Sequence, residues 1–256
     1  MNKNQDFDPN IDVRIHEKIL LNALAFKKGI INEKASNPEI YLREFLNHSQ
    51  YFRELSKGED YAAPDSEAHG ECDAISNAYE IDFKTLISSS MANAKRNTEL
   101  QTEKCASGVT LTISSRSNRD YSGSYITRLL RGLSLDEIEN KQYSSSEQEI
   151  GVKDLEKFLK VLLKHKNILL YLPASFSISG AEHGEDPVGI LTHAFQYDLS
   201  PCLKYRSKHV PDKDTFFCTI YEKDFCIWKW ENDGLVFEEA VPLSASKTFM
   251  YLAGFV

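Results

Sequence analysis

The chain has 256 residues, a formal net charge of −8, 27% charged side chains and 11% aromatic ones. This length suits one large domain or two small ones and is enough to bury a substantial core. The acidic balance excludes a protein that coats nucleic acid indiscriminately, while leaving room for a local basic groove. Five cysteines without regular spacing, and without a C-x-x-C pair, point to reduced thiols and a cytoplasmic setting. No apolar run approaches the ~20 residues that span a bilayer. The opening M-N-K-N-Q-D-F-D-P-N lacks the apolar centre of a signal peptide and reads as a short loose N-terminus. The expectation is a cytoplasmic protein with no membrane partner.

Residues 11–32 carry a helical pattern. Ile15, Ile19, Ala23, Phe26 and Ile30 form one stripe, widened by Leu20, Leu24 and Ile31. A second helix opens at Asn37, a good N-cap, followed by Pro38 and Glu39 in the first turn. Tyr41, Leu42, Phe45, Leu46, Phe52 and Leu55 mark its buried side, and Gly58 ends it. Glu44 flanks that stripe, whereas Glu54 lies opposite it and reads as solvated. Residues 59–70 form a polar loop, because Pro64 and Gly70 bar a regular helix.

The stretch E-C-D-A-I-S-N-A-Y-E-I-D-F-K-T-L, from Glu71 to Leu86, reads as a hairpin. In the exit strand Tyr79, Ile81 and Phe83 point one way, and Glu80, Asp82 and Lys84 the other. A turn centred on Asn77 and Ala78 sets Asp73 opposite Asp82; one centred on Ser76 and Asn77 sets it opposite Glu80. Either register puts Asp73 on the charged face. Like charges opposed across a sheet are destabilising. A hard divalent cation, which takes one or two carboxylates plus water and phosphate, compensates for that.

The pattern resembles the PD-(D/E)XK, or restriction-endonuclease-like, nuclease superfamily. There an Asp near the end of one strand is followed by an acidic-x-Lys triplet on the next; here these are Asp73 and Asp82-Phe83-Lys84. The usual Pro before the first Asp is replaced by Cys72. The resemblance implies catalytic roles for Asp73, Asp82 and Lys84, with Mg or Mn held by Asp73 and Asp82. Glu80 and Glu71 are further candidate metal residues, and Glu44 fills the place where the family's preceding helix often adds a Glu. The implied reaction is phosphodiester hydrolysis, in DNA first, although related folds also cut RNA. Defence and restriction are among the family's roles.

Residues 88–104 read as a polar stretch, weakly helical or looping. V-T-L-T-I, within 105–115, is an alternating strand. Arg116, Arg119, Arg128 and Arg131 make the most basic local region of the chain and are candidate phosphate contacts. Ser134 and Glu137 have the spacing of a helix cap. Residues 141–150 read as a linker, and 152–166 as an amphipathic helix through Leu155, Phe158, Leu159, Leu162 and Leu163. That helix feeds a buried apolar strand, Ile168 to Leu172, ended by Pro173. Residues 176–186 read as a loop and 188–197 as a helix, with His193 semi-buried among Ile190, Leu191 and Phe195.

From Asp214 onward the chain reads as strand: 216–221, 225–230 and 235–239, with a hairpin signal at Asn232-Asp233-Gly234. The expected fold is thus α/β: a restriction-endonuclease-like mixed sheet flanked by helices, with a C-terminal antiparallel β meander. Residues 1–175 would form the helical N-terminus and core, and 176–256 a helix and meander packing on or extending it. Partners would be nucleic acid, a second copy of the chain or another protein. The alternative is a non-enzymatic α/β interaction protein that uses its aromatic C-terminal sheet.

Overall fold

The computed structural model describes residues 38–65, 72–85, 99–104, 110–115, 134–142, 152–179 and 186–253. In chain order these give α1 (Pro38–His48), α2 (Gln50–Leu55), β1 (Ala74–Ile75), β2 (Glu80–Thr85), β3 (Glu99–Lys104), β4 (Thr110–Ser115) and α3 (Leu135–Glu139). They continue as α4 (Val152–Leu162), β5 (Ile168–Ser179), α5 (Pro187–His209), β6 (Thr215–Tyr221), β7 (Asp224–Glu231), β8 (Gly234–Pro242) and α6 (Lys247–Ala253). The expected helix over 11–32 and the four arginines at 116, 119, 128 and 131 lie outside the described residues.

The single helix expected over 37–58 is two. Ser49 sits in an extended conformation between them, and its hydroxyl caps α2 by accepting from Phe52 N at 3.1 Å. A serine competes for backbone partners in this way, which is why it favours caps over helix interiors. The far end of α2 closes as a Schellman motif. Gly58 N donates to Arg53 O at 2.7 Å and Lys57 N to Glu54 O at 3.1 Å, with φ of 57° at Lys57 and 85° at Gly58.

The fold is α/β, with a mixed sheet flanked by helices. Six strands run in the order β1-β2-β5-β6-β7-β8, and β4, paired with β3, joins β5 separately. β2, β5 and β6 are mutually parallel; β6, β7 and β8 form an antiparallel meander. The first half of β5 pairs with β2 and its second half with β4. Strand β5 therefore runs past Pro173, where the sequence pattern ends it, and takes in residues 176–179 of the expected loop. Its register with β6 shifts between Tyr171 and Ser175, and such an irregularity accommodates a residue with no N–H to give the ladder. Strand β3 falls inside the stretch expected to be polar loop. Pairing with β4 along its whole length supplies the hydrogen bonds that its composition does not advertise. A boundary at 175/176 falls within β5, and the meander continues the same sheet.

Apolar side chains leave β5 on both faces, as its continuous run requires. Leu169 and Tyr171 pack with Phe216, Phe225, Tyr41, Phe45 and Phe249 under α1, α2 and α6. Ile168, Leu170 and Leu172 pack with Phe217, Trp228, Phe195 and Leu162 under α4 and α5. Phe216, Phe217, Phe225 and Trp228 are fully buried, and Tyr221 and Phe237 pack against the core. The aromatic meander is core on both faces, so it offers no exposed ring platform for a partner. Helix α5 also exceeds its expected span, continuing through Pro201 to His209. A proline inside a helix costs about 3 kcal/mol, and burial of Leu199, Cys202 and Leu203 offsets it. His193, expected to be semi-buried, is exposed.

The chain end is not all strand. After β8 comes a 3-10 turn, Leu243–Ala245, and then α6. The Glu44 carboxylate binds the start of α6: it accepts from Ser246 Oγ at 2.6 Å, Thr248 N at 3.0 Å and Thr248 Oγ1 at 2.6 Å. These bonds and the burial of its carboxyl, which opposes them, leave the Glu44 pKa below its usual value. Among the described residues no helix is long and apolar enough to cross a membrane. Glu44→Ala should lower unfolding stability by about 1–3 kcal/mol, the cost of orphaned charge-assisted bonds, measured by urea denaturation. An unchanged midpoint would show that α6 docks without Glu44.

Candidate functional site

The β1–β2 hairpin pairs Ala74 with Ile81 and Ile75 with Glu80. The turn is therefore centred on Asn77 and Ala78, and Ser76 N closes it onto Tyr79 O at 2.9 Å. Of the two registers compatible with the sequence, this is the one that sets Asp73 across from Asp82. Ile81 and Phe83 go down into the core under α1, which leaves Asp82 and Lys84 on the α4 face of the sheet.

Asp73 does two things. Strand β1 begins at Ala74, so the N–H of Phe83 has no strand residue to bond; the Asp73 Oδ2 accepts from it at 2.6 Å. The same carboxyl hydrogen-bonds to Asp82. Asp82 points the other way with its backbone, donating to Asn167 O at 2.9 Å on the β5 side. Its carboxylate is only 4% exposed and takes two ammonium groups, Lys84 Nζ at 2.9 Å and Lys164 Nζ at 3.4 Å. Lys84 Nζ also lies 3.9 Å from Asp73 Oδ2. Arg43 Nη1 donates to Asp73 O at 2.6 Å and ties the hairpin to α1.

Burial and the shared hydrogen bond with Asp82 hold the Asp73 carboxyl up at a pKa of about 7. Burial also works against ionisation of Asp82, but hydrogen bonds from Asp73 and Lys84 and the charge of Lys164 outweigh it, and its pKa is lowered. One carboxyl of the pair thus carries the proton and the other the charge, because two adjacent buried carboxylates do not both ionise cheaply. Asp73 and Asp82 are the residues that would hold a cation here. The donor set, two carboxyl groups with an ammonium beside them, fits a magnesium-type ion that completes its shell with water and phosphate. Among the described residues no three His, Cys, Asp or Glu side chains gather as a closed metal cage.

The other expected site residues fall elsewhere. Glu80 is exposed, two positions before Asp82 on the same strand face. Glu44 sits in the layer on the opposite face of the sheet with its oxygens bound to α6. Glu71, Arg116, Arg119, Arg128 and Arg131 lie outside the described residues.

The chain matches no protein-family model, no curated protein and no solved structure. Its chemistry has to be read from its own atoms, and those include residues that the sequence patterns did not single out. Lys164 follows α4, in the turn K-H-K-N that leads into β5. Beneath that turn lies Arg206, 1% exposed. Its guanidinium donates to Leu162 O, to Lys164 O at 3.0 Å, to Lys166 O at 2.6 Å and to Thr215 Oγ1 at 2.5 Å. Asn167 completes the fixing of the turn, giving Nδ2 to Glu80 O at 2.9 Å and accepting from Asp214 N at 3.0 Å. The signal available in sequence was only that cations stand at the junction of a helix and a buried strand.

Two measurements follow from this geometry. Between the unfolded pKa of about 4 and the folded value of about 7, the folded chain keeps a proton on Asp73 that the unfolded chain has lost. Stability contributed by that proton is complete below about pH 4 and is lost as pH rises through 7. Wild type should therefore lose on the order of 2 kcal/mol relative to Asp73→Asn across this window, after allowance for partial exposure; parallel denaturation midpoints would contradict it. Arg206→Met should cost roughly 3–5 kcal/mol, because it strands buried carbonyls. Arg206→Lys should restore little of that, since a point charge cannot reproduce the planar fork.

Proposed function

We propose that this protein is a metal-dependent phosphodiesterase acting on nucleic acid, DNA first, with a restriction-endonuclease-like core and a PD-(D/E)XK-type site. The observation that carries the reading is the hairpin register, which sets Asp73 across from Asp82 with Lys84 2.9 Å from the Asp82 carboxylate. The parallel neighbours β5 and β6 and the preceding helix α4 give that hairpin the mixed, helix-flanked sheet that the resemblance implies.

Asp73 and Asp82 would hold a Mg or Mn ion, with Glu80 nearest to them on the same strand face. When bound, the ion would lower the pKa of a water and neutralise charge that develops on phosphate oxygen. The chain's own groups do the rest. Asp73 would serve as a ligand in its ionised form. Asp82 fixes the Lys84 ammonium, and Lys84 donates a hydrogen bond to the attacking water or to a non-bridging phosphate oxygen. Lys164, on the same Asp82 oxygen as Lys84, adds a second positive group to which a phosphate can be drawn. No covalent enzyme intermediate is needed. Defence or restriction is the physiological setting that fits this reading. The interaction-module alternative loses its proposed surface, because the aromatics of the meander are core.

Supercoiled plasmid and a labelled single-stranded oligonucleotide, incubated with Mg or Mn, test the proposal. Wild type should cut at least one of them, with no cut in EDTA. Asp82→Asn and Lys84→Ala should each lose on the order of 10²–10³-fold in rate, with circular dichroism unchanged. Cleavage that survives both substitutions, or no cleavage with either ion, would sink it.

A further inference from the structure

Beside the acidic pair lies a second feature, a cleft of about 430 Å³ between the hairpin and the K-H-K-N turn. Ile75 and Glu80 form one bank; Lys166, Asn167 and Lys213 form the other, and Cys72 is at its edge. Among the described lining residues two lysines face one glutamate. His165 also lines the cleft and pairs with Asp212 at 3.1 Å. The basic bank is held in place: Arg206 takes the carbonyls of Leu162, Lys164 and Lys166 inward, and Asn167 is bonded to Glu80 O on β2 and to Asp214 N just before β6. A ridge with three carbonyls drawn beneath it by one guanidinium has a fixed backbone, which lowers the ordering cost of binding.

The cleft lies next to the acidic pair along three segments of the chain. Cys72 adjoins Asp73, Glu80 precedes Asp82 by two residues, and Lys166 follows Lys164 by two. Two residues of strand cover roughly 6–7 Å, about one repeat of an extended polynucleotide. We infer that this cleft takes the sugar-phosphate backbone of the nucleotide next to the scissile phosphate, and that it takes it from a single strand. This rests on the nuclease reading for the polarity of the substrate, but binding in the cleft is measurable without catalysis. Its volume of about 430 Å³ suits one or two nucleotides and is too small for a segment of duplex. Among the described residues no Phe, Tyr or Trp lines it, and its one ring, the His165 imidazole, is paired with Asp212, so recognition is mainly electrostatic and tolerant of sequence.

The test uses the full chain in EDTA with a fluorescein-labelled oligo-dT 12-mer, read by anisotropy across a salt series. Lys166→Ala/Lys213→Ala should weaken binding about tenfold or more and flatten the salt slope by about 1.4, at roughly 0.7 per single-strand phosphate contact. Lys166→Glu/Lys213→Glu should weaken it further. An unlabelled 12-bp duplex should compete at least tenfold less well than the single strand. The inference is overturned if both double variants, folded by thermal melt, bind as wild type does, or if duplex competes equally. It is overturned too if inorganic phosphate at the oligonucleotide concentration displaces the strand. If strand binding falls in the variants while wild type cuts nothing with metal, the cleft stands and the nuclease reading fails. If wild type cuts and the variants keep its KM, the nuclease reading stands and the cleft does not.

Discussion

A buried guanidinium sets the geometry on which the candidate site depends. Arg206 is sealed from solvent, and its hydrogen bonds go to three backbone carbonyls at the end of α4 and to a threonine hydroxyl on β6. The last carbonyls of a helix have no partners within it, and burying them beside a strand entry is expensive unless a donor is supplied. Arg206 supplies several at once from one planar group. Burial lowers its pKa to about 10, still well above neutrality, so the charge remains. The turn it holds carries Lys164 to one side of Asp82 and Lys166 to the neighbouring cleft.

The hairpin solves a different problem. Strand β1 is two residues long, too short to satisfy the exposed edge of β2. Asp73 continues the ladder with a side chain in place of a backbone carbonyl, and this brings its carboxyl against that of Asp82. The resulting like-charge contact is tolerable because one proton is retained and two ammonium groups surround the remaining charge. Strand termination, carboxyl pairing and the raised pKa of Asp73 are one arrangement seen from three sides. The second carboxylate holds Lys84 and Lys164 in place, and the proposed chemical role rests on that grouping.

Around this, the sheet works as a rigid partition. Its two faces bury separate aromatic and aliphatic clusters, and the partition decides which acids can meet. Glu44 and Asp82 are both beside apolar stripes in the sequence, yet they lie in different layers. Glu44 is committed to the start of α6, and Glu239 makes the corresponding contact with α2, accepting from Ser49 Oγ, Gln50 N and Tyr51 N. Carboxylates at helix N-termini satisfy free N–H groups and oppose the helix dipole. Both acids therefore have a complete structural explanation, whereas Asp82 with its two lysines does not.

Periodicity in the sequence determined the hairpin, its charged face, the meander and the apolar helix expected over 152–166, which the structure ends at Leu162, because side-chain alternation is a local property of the backbone. It also determined that Asp73, Asp82 and Lys84 share a face, since neither permitted register removes Asp73 from it. Register itself was decided in three dimensions: either turn puts Ala74 and Ile81 on the core face, and the folded chain pairs the two directly through the turn at Asn77-Ala78. Long-range contacts also decided the extension of β5 through Pro173, the pairing of β3, the division of the second helix at Ser49 and the burial of the meander's aromatics. Each depends on what a distant segment supplies, a ladder partner, a carboxylate or an opposing apolar face. The clamp by Arg206 is the clearest case, for it acts on carbonyls some forty residues earlier, and no local pattern encodes a distance of that kind.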